Sequence, residues 1–237
     1  MAMSLLLVVL VALASPFVAQ ASRASSDFDF FMFTTTWAGT FCDHEFGRHC
    51  KHVMGLRNLT IHGLWPNYDS GKYPQFCDKR KFDPDKVSDL QDRLNAEWPD
   101  LLSKGGLWSH EFEKHGTCSA SVLPTEHDYF GAALSLNERL DLTSALFRAG
   151  IQPSSTQAYP TKDIVKAVKS VIGDDVDPEL NCADGNLQEI RVCFTKTFQA
   201  RNCDSSASSA SSRRALRSAP SDASCGVNVY LPPFNSK

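Results

Sequence analysis

The chain has 237 residues, of which 42% are hydrophobic and 22% charged, and a formal net charge of −3. That length suits one domain with one substantial core. The slight negative charge excludes binding to a polyanion by bulk attraction, so any grip on nucleic acid must come from local positive groups.

In chain order, residues 5–14 are almost wholly apolar, and Pro16 with Ala19-Gln20-Ala21 supplies a helix break and a small-x-small cleavage site. Residues 1–21 therefore read as a signal peptide, although Met1 to Ser4 carry no basic residue; a buried N-terminal helix is the competing reading. The stretch is too short to span a bilayer, and no later segment is apolar enough, so a mature chain 22–237 without a membrane anchor is expected. Residues 28–36, aromatic and β-branched, predict a strand, and residues 59–64 a second. Residues 85–102 carry Val87, Leu90, Leu94 and Trp98 at helical spacing behind Pro84. Further helices are expected over 129–136, 140–149 and 161–172, the last opened by Thr161 and closed by Gly173. Strands follow over 190–198 and 227–231. Helices and strands mix without βαβ alternation, so the class is α+β. Residues 205–224 are rich in Ser and Ala with Arg213, Arg214 and Arg217, and read as a mobile loop; a basic RNA-gripping tether or a processing site at Arg213-Arg214 is the functional alternative.

Eight cysteines behind a leader, Cys42, Cys50, Cys77, Cys118, Cys182, Cys193, Cys203 and Cys225, imply oxidised pairs. Spacing alone leaves about 105 pairings open. No Cys-x-x-Cys occurs, and the compact set Cys42, His44, His49, Cys50 and His52 lacks regular ligand spacing, so no metal is expected there.

The chemistry concentrates in two segments. Within Trp108-Ser-His-Glu-Phe-Glu-Lys-His-Gly-Thr-Cys118, a helix would gather His110, Glu111, Lys114 and His115 into an arc of about 140°. Two imidazoles, an ammonium and a carboxylate offer a proton shuttle, cationic contacts and an orienting group, whereas a solvated helix face is the plainer alternative. A zinc-protease reading fails, because its two histidines must lie four apart and here they lie five apart with Lys114 beside them. No cluster of acidic residues suggests a two-metal nuclease, and no cofactor is implied. The other segment, Leu59-Thr-Ile-His62-Gly-Leu-Trp65-Pro-Asn67, sets a histidine in a strand, where a lone histidine is more often structural.

Taken together, Ile-His-Gly-Leu-Trp-Pro and His-Glu-x-x-Lys-His-Gly-Thr-Cys resemble the paired active-site motifs of the T2 ribonuclease family, and most closely its plant S-like branch. The resemblance extends from Asp27 to Phe234. It implies a single disulfide-bonded domain with a central antiparallel sheet packed against several helices, and bridges Cys42–Cys50, Cys77–Cys118, Cys182–Cys225 and Cys193–Cys203. It implies an endoribonuclease that cuts single-stranded RNA without metal or cofactor, with His115 as general base, His62 as general acid, His110 and Lys114 on the phosphate and Glu111 orienting the cluster. Trp65 and Tyr73 match positions that stack on a base, and Leu107 stands where a phenylalanine often packs on the second base. Thr35-Thr36-Trp37-Ala38 departs from the Gln-Gln-Trp-Pro usual in that branch, which puts base preference in doubt and supports the competing function, a storage or defence protein of low activity on the same fold. A self-recognition ribonuclease is disfavoured by a pI near 6.1. Asn58-Leu59-Thr60 is a glycosylation sequon, in keeping with delivery outside the cell or to the vacuole. A monomer is expected.

Overall fold

The computed structural model describes residues 27–44, 50, 56–203 and 225–234. The expected leader 1–21, the loop 205–224, His49 and His52 lie outside the described residues.

The run Phe-Phe-Met-Phe-Thr-Thr-Thr forms β1 (Phe30–Thr36), buried everywhere but at Met32. Such a strand needs cover on both faces and partners on both edges, and it has the partners: it lies antiparallel between β2 (Thr60–Asn67) and β5 (Asn186–Phe194). β4 (Glu179–Ala183) and β6 (Ala200–Arg201) also pair antiparallel with β5. The sheet path runs β2-β1-β5-β7-β3, where β3 is Ala158–Pro160 and β7 is Asn228–Tyr230. Every pairing is antiparallel except the short β5/β7 contact at Asn186 and Tyr230, which is parallel. The helices are α1 (Ala38–His44), α2 (Gln91–Glu97), α3 (Leu107–Lys114), α4 (Glu126–Leu140), α5 (Leu142–Arg148) and α6 (Thr161–Ile172), with 3₁₀ turns at Pro84–Leu90 and Gly116–Ser119. The molecule is α+β, and its largest fully buried side chains, among them Phe31, Phe33, Trp98, Phe112, Tyr129 and Phe130, come from both strands and helices.

Several elements differ from the reading of the sequence. The helix expected over 85–102 breaks at Val87 (φ −127°, ψ 20°) into a 3₁₀ turn followed by α2, and stops at Trp98. Pro99 bars Trp98 from helical backbone angles, which ends it there. Asp141 (φ 37°) separates α4 from α5 and caps α5 through Ser144 N–H. β5 begins four residues before the expected start at 190 and gives way to a turn after Phe194, where Thr195 N–H donates to Gln199 O. β3, β4 and α1 were not expected at all. Short strands with little apolar alternation, such as Ala158–Pro160, form because a neighbour completes them.

Four disulfides join Cys42 to Cys50, Cys77 to Cys118, Cys182 to Cys225 and Cys193 to Cys203. The second ties the chain after β2 to the 3₁₀ turn that follows α3, and the third fastens β4 to the segment leading into β7.

Candidate active site

His62 owes its position to an irregularity in β2. Thr34 is opposite Gly63 and Thr35 is opposite Ile61, so His62 is the extra residue of a β-bulge. A bulge leaves one residue out of the ladder and turns its side chain to a new direction. Ile61 and Leu64 fix the strand in the core, at 2% and 0% exposure, and the His62 carbonyl accepts a hydrogen bond from Trp98 Nε1 at 2.9 Å. The imidazole Nδ1 then meets Glu189 Oε1 on β5 at 2.7 Å. Glu189 is itself buried at 4% exposure. Its other oxygen accepts from Arg191 Nη2 at 2.6 Å and Nε at 3.1 Å, and from Asn181 Nδ2 on β4 at 3.3 Å.

The facing wall is α3. The helix starts behind Gly106 (φ 92°) and ends with His115 as its C-cap. The four expected side chains separate into two pairs, because Phe112 and Glu111 turn into the core while His110 stays exposed. Glu111 and His115 are buried at 3% and 5%, and Lys114 is half-buried at the rim. Glu111 Oε2 accepts from Trp65 Nε1 at 2.8 Å, which joins α3 to β2. Gly63 makes this bond possible, since a Cβ there would collide with the Trp65 indole nitrogen and the Glu111 carboxylate. The Tyr129 hydroxyl on α4 donates to Leu64 O at 3.0 Å and lies 3.4 Å from Glu111 O, so it braces the same two elements from behind.

Trp65 is where the two catalytic candidates meet. Its ring centroid is 5.1 Å from that of His62, edge-on, and 5.4 Å from that of His115. Arg191 lies over the indole at 6.0 Å. Tyr73, half exposed, is 6.2 Å from His115 with the Lys114 ammonium over its ring at 5.9 Å. Leu107 lines a pocket with Thr36, Ile61, His62 and Leu101. Thr35 and Thr36 are buried at 0% and 3%, and the Thr35 hydroxyl is committed to Ile190 O at 3.2 Å. Asn58 is exposed just before β2, whereas Thr60 of its sequon is buried inside the strand.

The surroundings drive the two imidazoles apart. Burial pulls His62 down, but the Glu189 hydrogen bond and charge outweigh it and hold its pKa above the ordinary value. His115 has no such counter-ion: burial, then the positive charges of Lys114, His110 and His62, push it down to about 3. Its Nδ1 is buried with no hydrogen-bond partner among the described residues. Burial also lowers His110, with Lys114 adding to the effect, and raises Glu111. Glu189 is held down at about 2 by His62 and Arg191 against the cost of its burial. An imidazole favoured as a cation and another favoured as neutral beside the same indole are suited to act as acid and base on a single reacting group.

Sequence reasoning missed Glu189 and Arg191. They alternate with the buried Ile190 and Val192, a pattern of period two that ordinarily marks the solvent face of a strand.

A family model for the ribonuclease T2 family matches residues 28–203. Ribonuclease 1 of Arabidopsis thaliana is 40% identical over 194 residues, which cover 77% of this chain and 82% of the relative. Among solved structures, trichomaglin, described as an S-like ribonuclease, superposes with a TM-score of 0.73 at 32% identity, covering 89% of this chain and 100% of the other. RNase NT, solved in complex with 5′-AMP, gives 0.72 at 33% identity over 88% of this chain and 100% of that one. The chain belongs to the ribonuclease T2 family, in its plant S-like branch, and is a T2-type endoribonuclease.

Proposed function

We propose that the chain is a secreted or vacuolar enzyme that cuts single-stranded RNA by transphosphorylation to 2′,3′-cyclic phosphate ends and then hydrolyses these to 3′-phosphates. The observation that carries this reading is the pair His62 and His115 on Trp65, one favoured as a cation and the other as a neutral base. His115 takes the proton of the 2′-hydroxyl as that oxygen attacks phosphorus. The bond from phosphorus to the 5′-oxygen breaks, and His62 delivers a proton to that leaving oxygen. In the second step water replaces the 2′-oxygen as nucleophile and the two histidines exchange roles. Lys114 places positive charge near the phosphorane, and His110, even when neutral, donates a hydrogen bond. Glu111, buried under Trp65, orients the cluster.

Base binding falls to Trp65 and Tyr73 on one side and to the pocket of Leu107 and Thr36 on the other. Stacking of this kind is worth about 1–3 kcal/mol per base and discriminates little between bases. The Thr35 hydroxyl is committed to its own sheet, so it offers the second base no hydrogen bond and selectivity there should be weak. The chemistry calls for no metal, and every group it uses comes from one chain, in keeping with a monomer. Among the described residues no helix is long and apolar enough to cross a membrane, and the apolar leader supports entry into the secretory pathway.

Purified protein incubated with RNA and with DNA of matching sequence in EDTA tests this directly. Cleavage confined to RNA, leaving cyclic or 3′-phosphate ends, is the expected result. The rate should rise as His115 loses its proton, be highest in mildly acidic solution, and fall above the raised pKa of His62 as that group loses its proton. Cleavage of DNA, loss of activity in EDTA or 5′-phosphate ends would overturn the reading, and lack of turnover on any RNA would favour a storage or defence role.

A further inference from the structure

The bulged His62 does not stand alone behind the cleft. Its Nδ1 faces a carboxylate that is almost wholly buried on a neighbouring strand, and that carboxylate is gripped from its far side by a guanidinium. β5 is irregular at this point too: Asn181 pairs with Glu189 while Cys182 pairs with Leu187, so Gln188 is extra in the ladder and Glu189 leads out of the bulge. A buried carboxylate survives only when charged or polar partners satisfy it, and here both oxygens are occupied.

We propose that Glu189 is a positioning residue for RNA cleavage: it accepts the Nδ1 proton of His62, fixes that ring, and leaves Nε2 as the nitrogen that serves the leaving 5′-oxygen. The proposal rests on the reading of His62 as general acid. The titratable and charged groups that face the pair are Arg191 on β5, and Glu111, His110 and the C-cap His115 on α3, with neutral Asn181 on β4. Arg191 settles how a neutral substitute would behave. In Glu189→Gln the amide carbonyl would turn to the guanidinium, which only donates, and the amide NH₂ would face Nδ1. Nδ1 must then accept, so the doubly protonated imidazolium loses its partner and His62 gives up its proton at lower pH. Arg191 also stays over the Trp65 indole, so the ring next to both histidines is tied to the same ion pair.

The test is the pH profile of kcat/KM for Glu189→Gln beside the unsubstituted enzyme, on a dinucleotide substrate. The basic limb should move to lower pH, with about tenfold loss above the new limb for each unit of displacement, and activity should recover on the acid side. A basic limb and a rate unchanged from wild type would overturn the proposal. Nitrogen-15 NMR of the histidines in the unsubstituted protein gives a second reading that does not depend on the variant folding. His62 should carry its proton on Nδ1 when neutral and titrate above His115; a neutral His62 protonated on Nε2 would overturn the assignment. If His62→Ala were fully active, the catalytic reading itself would fail, whatever Glu189 does, so the two failures are distinguishable.

Discussion

Trp65 has more partners in the site than any position read from the sequence would suggest. Its indole N–H reaches Glu111, its ring meets both histidines, and Arg191 covers it. A residue expected to stack on a base is therefore also a bracket between β2 and α3. Trp65→Phe keeps an aromatic ring but leaves the buried Glu111 carboxylate without its donor, which should cost about 1–3 kcal/mol. Denaturant unfolding should register that loss, and kcat/KM should fall with it; an unchanged midpoint would mean the hydrogen bond contributes nothing. At this scale the meeting of His62, Glu111 and His115 around Trp65 was legible because two short motifs stood in the right order. Glu189 was not, since its partner comes from a distant strand and a charged residue between apolar ones looks like surface.

The elements are held by local chemistry that the sequence displays only partly. α4 begins with a capping box in which Thr125 Oγ1 accepts from Asp128 N–H at 3.0 Å and Asp128 Oδ2 accepts from Thr125 N–H at 3.1 Å. Thr125→Ala should lower stability by about 1 kcal/mol in thermal or denaturant unfolding while leaving kcat/KM unchanged, because no group of the site is touched. A loss of activity without a loss of stability would mean that α4 does more than brace the site through Tyr129. The amphipathic helix α6 was read at its observed bounds, because Thr161 to Ile172 has a clean apolar stripe and a glycine stop (Gly173 φ 109°). The span 85–102 was misread as one helix because apolar spacing continues past Val87 and Trp98, while the backbone angles at both residues do not. The break between α4 and α5 was expected at 137–139 and falls at Asp141, since an aspartate at positive φ leaves no mark in hydropathy.

Across the whole molecule, the mixed class followed from the order of elements, but the sheet order did not. β1 and β5 are joined by bonds such as Thr35 to Ile190, which lie 155 positions apart, and no local signal selects such a pairing. The same non-local folding brings His62, Glu189 and His115 together from a bulged strand, a second strand and a helix end. With a net charge of −3, the proposed grip on a phosphodiester must come from local positive groups, Lys114 and the His62 cation, since Arg191 is committed to Glu189. The division of labour between the histidines is tested most directly with two substrates, a dinucleotide and a uridine 3′-phosphodiester bearing a 4-nitrophenyl leaving group that departs without a proton. His62→Ala should lose about 100- to 10,000-fold on the dinucleotide yet cleave the nitrophenyl ester at close to the wild-type rate, while His115→Ala is impaired on both. Equal impairment of His62→Ala on the two substrates, or rescue of His115→Ala by the better leaving group, would contradict the assignment of acid and base.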